Sequence, residues 1–278
     1  MTKVLITDPI DQSGIDILSQ VAQVDQKIGI SESDLAAIIQ DYDALMIRSG
    51  TQVTGQIINS SKNLRIIGRA GVGVDNVDVK AATQKGVLVV NSPGGNTIAA
   101  AEHTIAMMLA LSRNIPIANS SMFEGKWERK KFVGNELFKK KLGVVGLGKI
   151  GTHVAKVANA MGMEVLGYDP FVSNERAQQL QVKLSELDIL FQDSDYVTLH
   201  LPRTVETENL VDIKVLKSMK NTAKLINCAR GGIIDEEALA EALNNSLIGG
   251  AAIDVYSEEP LNANSCLLYT SDAADDAG

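Results

Sequence analysis

The stretch Leu142-Gly143-Val144-Val145-Gly146-Leu147-Gly148-Lys149-Ile150-Gly151 decides the fold of the region around it. The apolar run Leu142–Val145 predicts a buried strand, and a helical pattern continues from the glycines to Met161. A strand, a glycine-rich turn and a helix in this order are the context that a dinucleotide-binding motif requires. We therefore expect a nucleotide site at this turn.

Each of the three glycines in the turn has a different expected structural role. Gly146 permits the tight turn, Gly148 lets a pyrophosphate approach the backbone, and Gly151 lets the helix pack against the strand. The phosphates are expected at the positive N-terminus of the helix. A glycine turn that binds no ligand is the alternative.

A carboxylate stands at the position expected of a ribose ligand. Asp169 lies about twenty residues beyond the turn, where a carboxylate can accept hydrogen bonds from both ribose hydroxyls. Pro170 and Phe171, which follow it, provide no base for a 2′-phosphate. The sequence therefore predicts NAD rather than NADP as the cofactor.

Strand-like runs alternate with helical patterns along most of the chain, which predicts an α/β fold with two doubly wound parallel sheets. We expect a first domain over residues 1–96, a second over 97–262, and one long helix, Thr97–Ser121, at the start of the second. The predicted strands are Val4–Thr7, Ala44–Ile47, Arg65–Gly68, Val87–Val90, Lys141–Val145, Glu164–Tyr168, Tyr196–Leu199, Ala223–Asn227 and Gly249–Ile253.

Composition narrows the class of protein. The 278 residues are 45% hydrophobic and 22% charged, with a net charge of −8, which argues against nucleic acid or an anionic membrane as a partner. There is no targeting pattern at Met1 and no long apolar run, so we expect a soluble cytoplasmic protein. Cys228 and Cys266 form no CxxC pair, and we expect free thiols and no metal site.

Residues just after the strands are the candidate ligands, because doubly wound sheets bind at the carboxyl ends of their strands. In the first domain a Gly-x-Gly turn and an arginine predict an anion site. These first-domain positions are Arg48, Ser49, Gly71, Val72, Gly73, Gly94, Gly95 and Asn96. In the second domain they are Leu201, Pro202, Cys228, Ala229, Arg230 and Asp254.

The stretch Asn227–Asp235, read NCARGGIID, resembles the signature of the D-isomer specific 2-hydroxyacid dehydrogenase family. Gly68–Asp78, Gly125–Phe132 and Ile253–Pro260 resemble the branch of that family that acts on 3-phosphoglycerate. The resemblance implies a flavodoxin-like substrate-binding domain, a Rossmann NAD-binding domain and a homo-oligomer. It also implies NAD-dependent oxidation of D-3-phosphoglycerate to 3-phosphohydroxypyruvate, the first step of serine biosynthesis.

The resemblance also implies roles for particular residues. Arg230 would hold the substrate carboxylate and carbonyl, and Glu259 would partner a catalytic histidine, because a neighbouring carboxylate favours imidazolium and fixes the ring tautomer. Asp254 would face the nicotinamide carboxamide. Further cofactor contacts would come from Val72, Lys149, Ile150, Leu201, Cys228 and Ala229. Substrate contacts would come from Arg48, Ser49, Val72, Gly73, Asn96 and Arg230.

The sequence departs from the family after Pro260. The family has a histidine beyond this point, whereas the histidines here are His103, His153 and His200. Residues 263–278 have no counterpart in the family, so we expect a non-native tail and an impaired enzyme. Two alternatives stay open: a glyoxylate or hydroxypyruvate reductase, against which Trp127–Phe132 argues, and a non-catalytic NAD-binding module.

Overall fold

The computed structural model describes residues 1–262 and 265–268. Two compact units make up the fold, Met1–Asn96 and a second that starts at Thr97. A parallel sheet with helical crossovers forms the centre of each unit, which confirms the expected α/β class with two doubly wound sheets. Most of the expected non-native tail, residues 263–264 and 269–278, lies outside the described residues.

The first unit alternates strands with short helices. Its elements are β1 (Lys3–Ile6), α1 (Gln12–Ser19), β2 (Gln23–Gln26), α2 (Glu32–Ile38), β3 (Ala44–Ile47), α3 (Gly55–Ser60), β4 (Ile66–Arg69), α4 (Val79–Lys85) and β5 (Leu88–Asn91). The strands are parallel in the order β2-β1-β3-β4-β5, which is the flavodoxin-like order. Leu5, Leu45, Ile57 and Ile67 are fully buried in its core.

The second unit follows the same pattern. Its elements are α5 (Thr97–Ser112), α6 (Ile115–Phe123), β6 (Lys141–Val145), α7 (Lys149–Ala160), β7 (Glu164–Tyr168), α8 (Asn174–Gln179), β8 (Lys183–Leu184), α9 (Leu187–Asp193), β9 (Tyr196–Leu199), α10 (Ile213–Ser218), β10 (Lys224–Asn227), α11 (Glu236–Asn244) and β11 (Gly250–Ile253). The parallel order β11-β10-β9-β6-β7-β8 is that of a Rossmann sheet. The direction of strand addition reverses between β6 and β9, which makes the carboxyl ends of these two strands the switch point.

Strand β6 and helix α7 form the centre of this unit because of their apolar patterns. Leu142 and Val144 of β6 are completely buried on the face that carries α7. Gly151, Val154, Ala155 and Ala158 recur on one side of α7 at helical spacing, and all four are buried. This packing fixes the start of α7 directly beyond the end of β6.

The expectation of one long helix over Thr97–Ser121 is wrong. The chain forms α5 and then α6, because Asn114 takes the left-handed conformation with φ of 54° and Pro116 lies in the first turn of α6. Proline lacks an N–H to continue the preceding helix, and it is favoured where a new helix begins. Among the described residues, no helix combines the length and the apolarity needed to cross a bilayer.

Candidate cofactor and substrate sites

The turn after β6 requires glycine at its first position. Gly146 has a φ of 95°, and its N–H donates to the Tyr168 carbonyl at the end of β7 at 2.8 Å. A Cβ atom at this position would collide with the carbonyl oxygen of His200, and it would lie 3.0 Å from the side chain of Leu201. The turn is therefore enclosed by backbone from the neighbouring strand.

The other two glycines differ in their surroundings. A Cβ atom on Gly151 would collide with the Gly146 carbonyl oxygen, whereas a Cβ atom on Gly148 would meet nothing within 4 Å. Gly148 is the N-cap residue of α7 and has no side chain to cap the first N–H groups. The N-terminus of α7 thus opens onto free space where an anion can approach closely.

Asp169 lies beside this turn and helps to hold it. One carboxylate oxygen accepts from the Leu147 N–H at 2.8 Å, and the other accepts from the Phe171 N–H at 2.9 Å. Each carboxylate oxygen can accept more than one hydrogen bond, so the half-buried side chain keeps capacity for ribose hydroxyls.

At the other side of the switch point, His200 follows β9. Burial lowers the pKa of this histidine to about 4, and its Nε2 lies 3.0 Å from the hydroxyl of Thr198. The imidazole is therefore neutral near pH 7, with one N–H donor and one acceptor nitrogen, and its protonation to imidazolium is disfavoured. Leu201, the next residue, provides an apolar side chain beside Gly146.

The turn after β10 is built around a buried amide. The side-chain Oδ1 of Asn227 accepts from the Ala229 N–H at 3.0 Å, and its side-chain Nδ2 donates to the Arg230 carbonyl at 2.9 Å. The Arg230 guanidinium in turn donates to the Ala229 carbonyl at 2.6 Å. Cys228, Ala229 and Arg230 are thereby held at the carboxyl edge of the sheet.

The loop after β11 lies against this turn. The Asp254 N–H donates to the Asn227 carbonyl at 3.0 Å, and the Glu259 carboxylate accepts from the Tyr256 N–H at 3.1 Å. A Cβ atom on Gly231 would collide with the Tyr256 carbonyl. Arg230 and Glu259 thus belong to two segments whose backbones are in direct contact.

The sequence analysis missed a cluster at this edge. His103 of α5 pairs with Asp254, with 3.2 Å between Nε2 and Oδ1, and the Cys228 sulfur completes a set of three ligand atoms within 4.8 Å of one another. Burial raises the pKa of the Cys228 thiol to about 11. Both cysteines are free thiols, as expected. The three residues are too far apart in sequence for their spacing to reveal the cluster.

In the first unit, a buried carboxylate shapes the loop after β3. Asp8 accepts from the N–H groups of Arg48 at 2.6 Å and Thr51 at 3.1 Å, and from the Thr51 hydroxyl at 2.9 Å. From the other side, the Asn76 amide donates to the carbonyls of Arg48 and Thr51, both at 2.7 Å. Arg48 therefore extends from a loop that is fixed at both ends.

A cavity of about 440 Å³ lies at the carboxyl ends of β3, β4 and β5. It contains two arginines, Arg48 and Arg69, and the Arg69 guanidinium lies where a Cβ atom on Gly71 would be. The lining residues are Arg48, Ser49, Arg69, Ala70, Gly71, Ser92, Gly95 and Asn96.

This cavity joins the predicted substrate ligands Arg48, Ser49 and Asn96, but Val72 and Gly73 do not line it. Arg69 and Ser92 were missed. Arg69 ends β4, so its position at the strand end was the available signal.

Comparison with known proteins adds independent evidence. Residues 105–273 match the family described as D-isomer specific 2-hydroxyacid dehydrogenase, NAD binding domain, so NAD is the cofactor. D-3-phosphoglycerate dehydrogenase of Synechocystis sp. (strain ATCC 27184 / PCC 6803 / Kazusa) is 62% identical over 261 residues, which are 94% of this chain and 47% of the relative. The chain spans about half the length of the curated relatives it matches.

Solved structures show the same fold. The TT0316 protein from Thermus thermophilus has a TM-score of 0.89 and 32% identity, with 97% of this chain and 86% of that chain covered. A glyoxylate reductase from Paecilomyes thermophila has a TM-score of 0.87 and 26% identity, with 96% and 85% covered. The chain therefore belongs to the D-isomer specific 2-hydroxyacid dehydrogenase family.

Proposed function

We propose that this chain provides the cofactor- and substrate-binding parts of an NAD-dependent enzyme that oxidises D-3-phosphoglycerate to 3-phosphohydroxypyruvate, the first step of serine biosynthesis. The observation that carries the proposal is the 62% identity over 261 residues to a D-3-phosphoglycerate dehydrogenase. A glyoxylate reductase is the second candidate because it shares the fold, but the solved example is only 26% identical.

The second unit fits NAD. The open space at Gly148 and the uncapped N-terminus of α7 suit the pyrophosphate, with Lys149 and Ile150 in the first helical turn. Asp169 would accept from the ribose hydroxyls. We assign the nicotinamide end to the strand-end residues Leu201, Cys228, Ala229 and Asp254.

The chemistry divides between the cofactor and the chain. When bound, NAD would supply the acceptor for the hydride that leaves the carbon bearing the substrate hydroxyl. Arg230 would hold the substrate carboxylate and the developing carbonyl through its forked donors. Glu259 would orient a histidine, and none follows it in the 278 residues. His200 is a poor replacement for that histidine, because burial lowers its pKa to about 4 and so disfavours the imidazolium that forms when the ring accepts the hydroxyl proton.

The first-unit cavity favours a phosphorylated substrate. Arg48, Arg69, Ser49 and Ser92 line one space, and the guanidinium and hydroxyl donors of these residue types match a phosphate dianion. A small unphosphorylated acid such as glyoxylate has a single anionic group and does not need this set.

Ligand binding to the purified chain tests the substrate class. We expect 3-phosphoglycerate to bind at least about tenfold more tightly than D-glycerate in calorimetry, a difference of ~1.4 kcal/mol. Arg48→Gln and Arg69→Gln should each reduce this preference, whereas Arg65→Gln, an exposed arginine that pairs with Asp43, should leave it unchanged. Equal affinity for the two acids would refute the proposed substrate.

We also propose that the protein forms a homo-oligomer. Between the end of α6 and the start of β6, three large apolar side chains are strongly exposed, with Phe123 86%, Trp127 74% and Val133 76% exposed, and exposed apolar surface is typical of interaction sites. Sedimentation equilibrium should show weaker self-association for Trp127→Ala, but not for the control Val205→Ala. An unchanged association constant for Trp127→Ala would exclude this surface.

A cytoplasmic location is proposed as well. Both cysteines are free thiols, as is usual in a reducing compartment.

A further inference from the structure

Three side chains that share no sequence motif converge at the carboxyl edge of the second sheet. His103 lies on α5, Cys228 follows β10, and Asp254 follows β11. A histidine nitrogen, a thiol sulfur and a carboxylate oxygen lie within 4.8 Å of one another. Nitrogen, sulfur and oxygen donors in one place form a ligand set that zinc-type metals prefer.

We propose that His103, Cys228 and Asp254 bind one thiophilic divalent cation of the Zn²⁺ or Co²⁺ type. The three residues occupy three positions of a tetrahedron, and a water molecule occupies the fourth. Coordination replaces the thiol proton of Cys228 by the metal, and the proton leaves to the solvent.

The observed distances suit this geometry. With Zn–S near 2.3 Å and Zn–N or Zn–O near 2.1 Å, two ligand atoms of a tetrahedral site are about 3.6 Å apart. The His103 nitrogen and the Asp254 oxygen are already 3.2 Å apart, and no pair of the three atoms exceeds 4.8 Å. Side-chain movements of about 1 Å complete the site.

The ligands are anchored but accessible. The N–H of Asp254 is fixed to the backbone carbonyl of Asn227, and Cys228 lies in a turn closed by the Ala229 N–H, which donates to Asn227 Oδ1. The side chains of His103 and Asp254 are 47% and 46% exposed, so a cation reaches them from solvent. The hydrogen bonds to Asn227 hold in place the two segments that carry Cys228 and Asp254.

Metal binding has a consequence for the cofactor. Cys228 and Asp254 are assigned above to the nicotinamide end of NAD, so the metal and the nicotinamide exclude each other. This consequence rests on the proposed placement of NAD, whereas the metal site itself does not.

Titration of the chain with Co²⁺ tests the site. We expect one equivalent to bind and to produce a thiolate-to-cobalt charge-transfer band in the near ultraviolet. Cys228→Ser should abolish the band, and His103→Gln should weaken binding at least tenfold. The matched controls Cys266→Ser and His153→Gln should behave like the unmodified chain. A band that survives in Cys228→Ser, or is lost in Cys266→Ser, overturns the proposal.

His103→Gln provides a second test in case Cys228→Ser does not fold, because His103 is exposed and can be replaced with little effect on packing. A Co²⁺ affinity equal to that of the unmodified chain in this variant overturns the site even if Cys228→Ser does not fold.

Competition with NADH and with ADP-ribose tests whether the metal and the nicotinamide exclude each other, separately from whether the metal binds. NADH should displace Co²⁺, whereas ADP-ribose, which lacks nicotinamide, should bind beside it. Displacement by NADH alone supports the exclusion. Simultaneous binding of NADH and Co²⁺ overturns the mutual exclusion. The metal site itself is then decided by the charge-transfer band in the unmodified chain and its variants. Failure of both ligands to bind in the absence of metal would instead count against the proposed function.

Discussion

The carbonyl oxygen of Tyr256 occupies the position that a Cβ atom on Gly231 would need. The contact joins the turn that carries Arg230 to the loop that carries Glu259. Both partners at this point are backbone, so neither can rotate away as a side chain would. Glycine at position 231 therefore permits the close contact between the turn that carries Arg230 and the loop that carries Glu259.

Gly231→Ala should destabilise the second unit for this reason. The added methyl group forces the loop at Tyr256 to move, and overpacking of this kind lowers the free energy of unfolding by about 2–3 kcal/mol. Urea unfolding followed by circular dichroism measures the change. A loss below ~0.5 kcal/mol would show that the loop yields without strain.

Gly148→Ala should weaken NADH binding without changing the free energy of unfolding. A Cβ atom there meets nothing within 4 Å, and the φ of −66° suits alanine, so the free energy of unfolding should hardly change. If the pyrophosphate lies against this backbone, the methyl group should weaken NADH binding about tenfold, which is ~1.4 kcal/mol. Calorimetry with NADH measures the loss. Unaltered affinity would move the pyrophosphate away from Gly148.

Most of the sheet architecture could be predicted because the central strands are buried on both faces and have continuous apolar sequences. The strands that escaped prediction, β2 and β8, lie at sheet edges. β2 reads QVDQ, and β8 has only two residues, so neither has an apolar run. The break at Asn114 could have been predicted, because the polar residues Ser112–Asn114 are followed by Pro116, and proline is favoured in the first turn of a new helix.

The site was predictable where a local motif determines the chemistry, as at Gly146 and Asp169. It was not predictable where side chains from distant segments meet. His103 of α5 reaches Asp254, which follows β11. Such encounters depend on strand order, which the local sequence pattern does not reveal. Arg69, by contrast, could have been found, because it ends β4 and strand ends were the positions to inspect.

Asp169→Ala should weaken NADH binding far more than Arg48→Ala does. Asp169 is proposed to accept from the ribose, and loss of hydrogen bonds to a charged group corresponds to about 2 kcal/mol, or ~30-fold in Kd. Arg48 lies in the first-unit cavity and is proposed to hold substrate instead. Calorimetry with NADH and then with ADP-ribose measures both variants. Equal losses in the two variants would contradict the assignment.

Because of Asp195, the free energy of unfolding of the second unit should decrease as the pH falls into the acid range. Burial opposes its ionisation, but the Lys220 ammonium at 2.8 Å and the Lys141 N–H at 2.8 Å outweigh this effect and lower its pKa. A lowered folded-state pKa adds stability that is fully present above the unfolded value of ~3.9. That stability is lost as the pH falls through the folded-state pKa.

Asp195→Asn should therefore lower the free energy of unfolding by about 2 kcal/mol at pH 7, and the difference from the unmodified chain should shrink toward pH 2. Asp193→Asn is the matched control, because Asp193 pairs with Lys141 at 3.3 Å with half of its side chain exposed. Exposed pairs contribute less than ~1 kcal/mol. Urea unfolding of the three proteins across this pH range measures the effect. A difference for Asp195→Asn that does not change with pH would show that packing, rather than the carboxylate charge, stabilises this position.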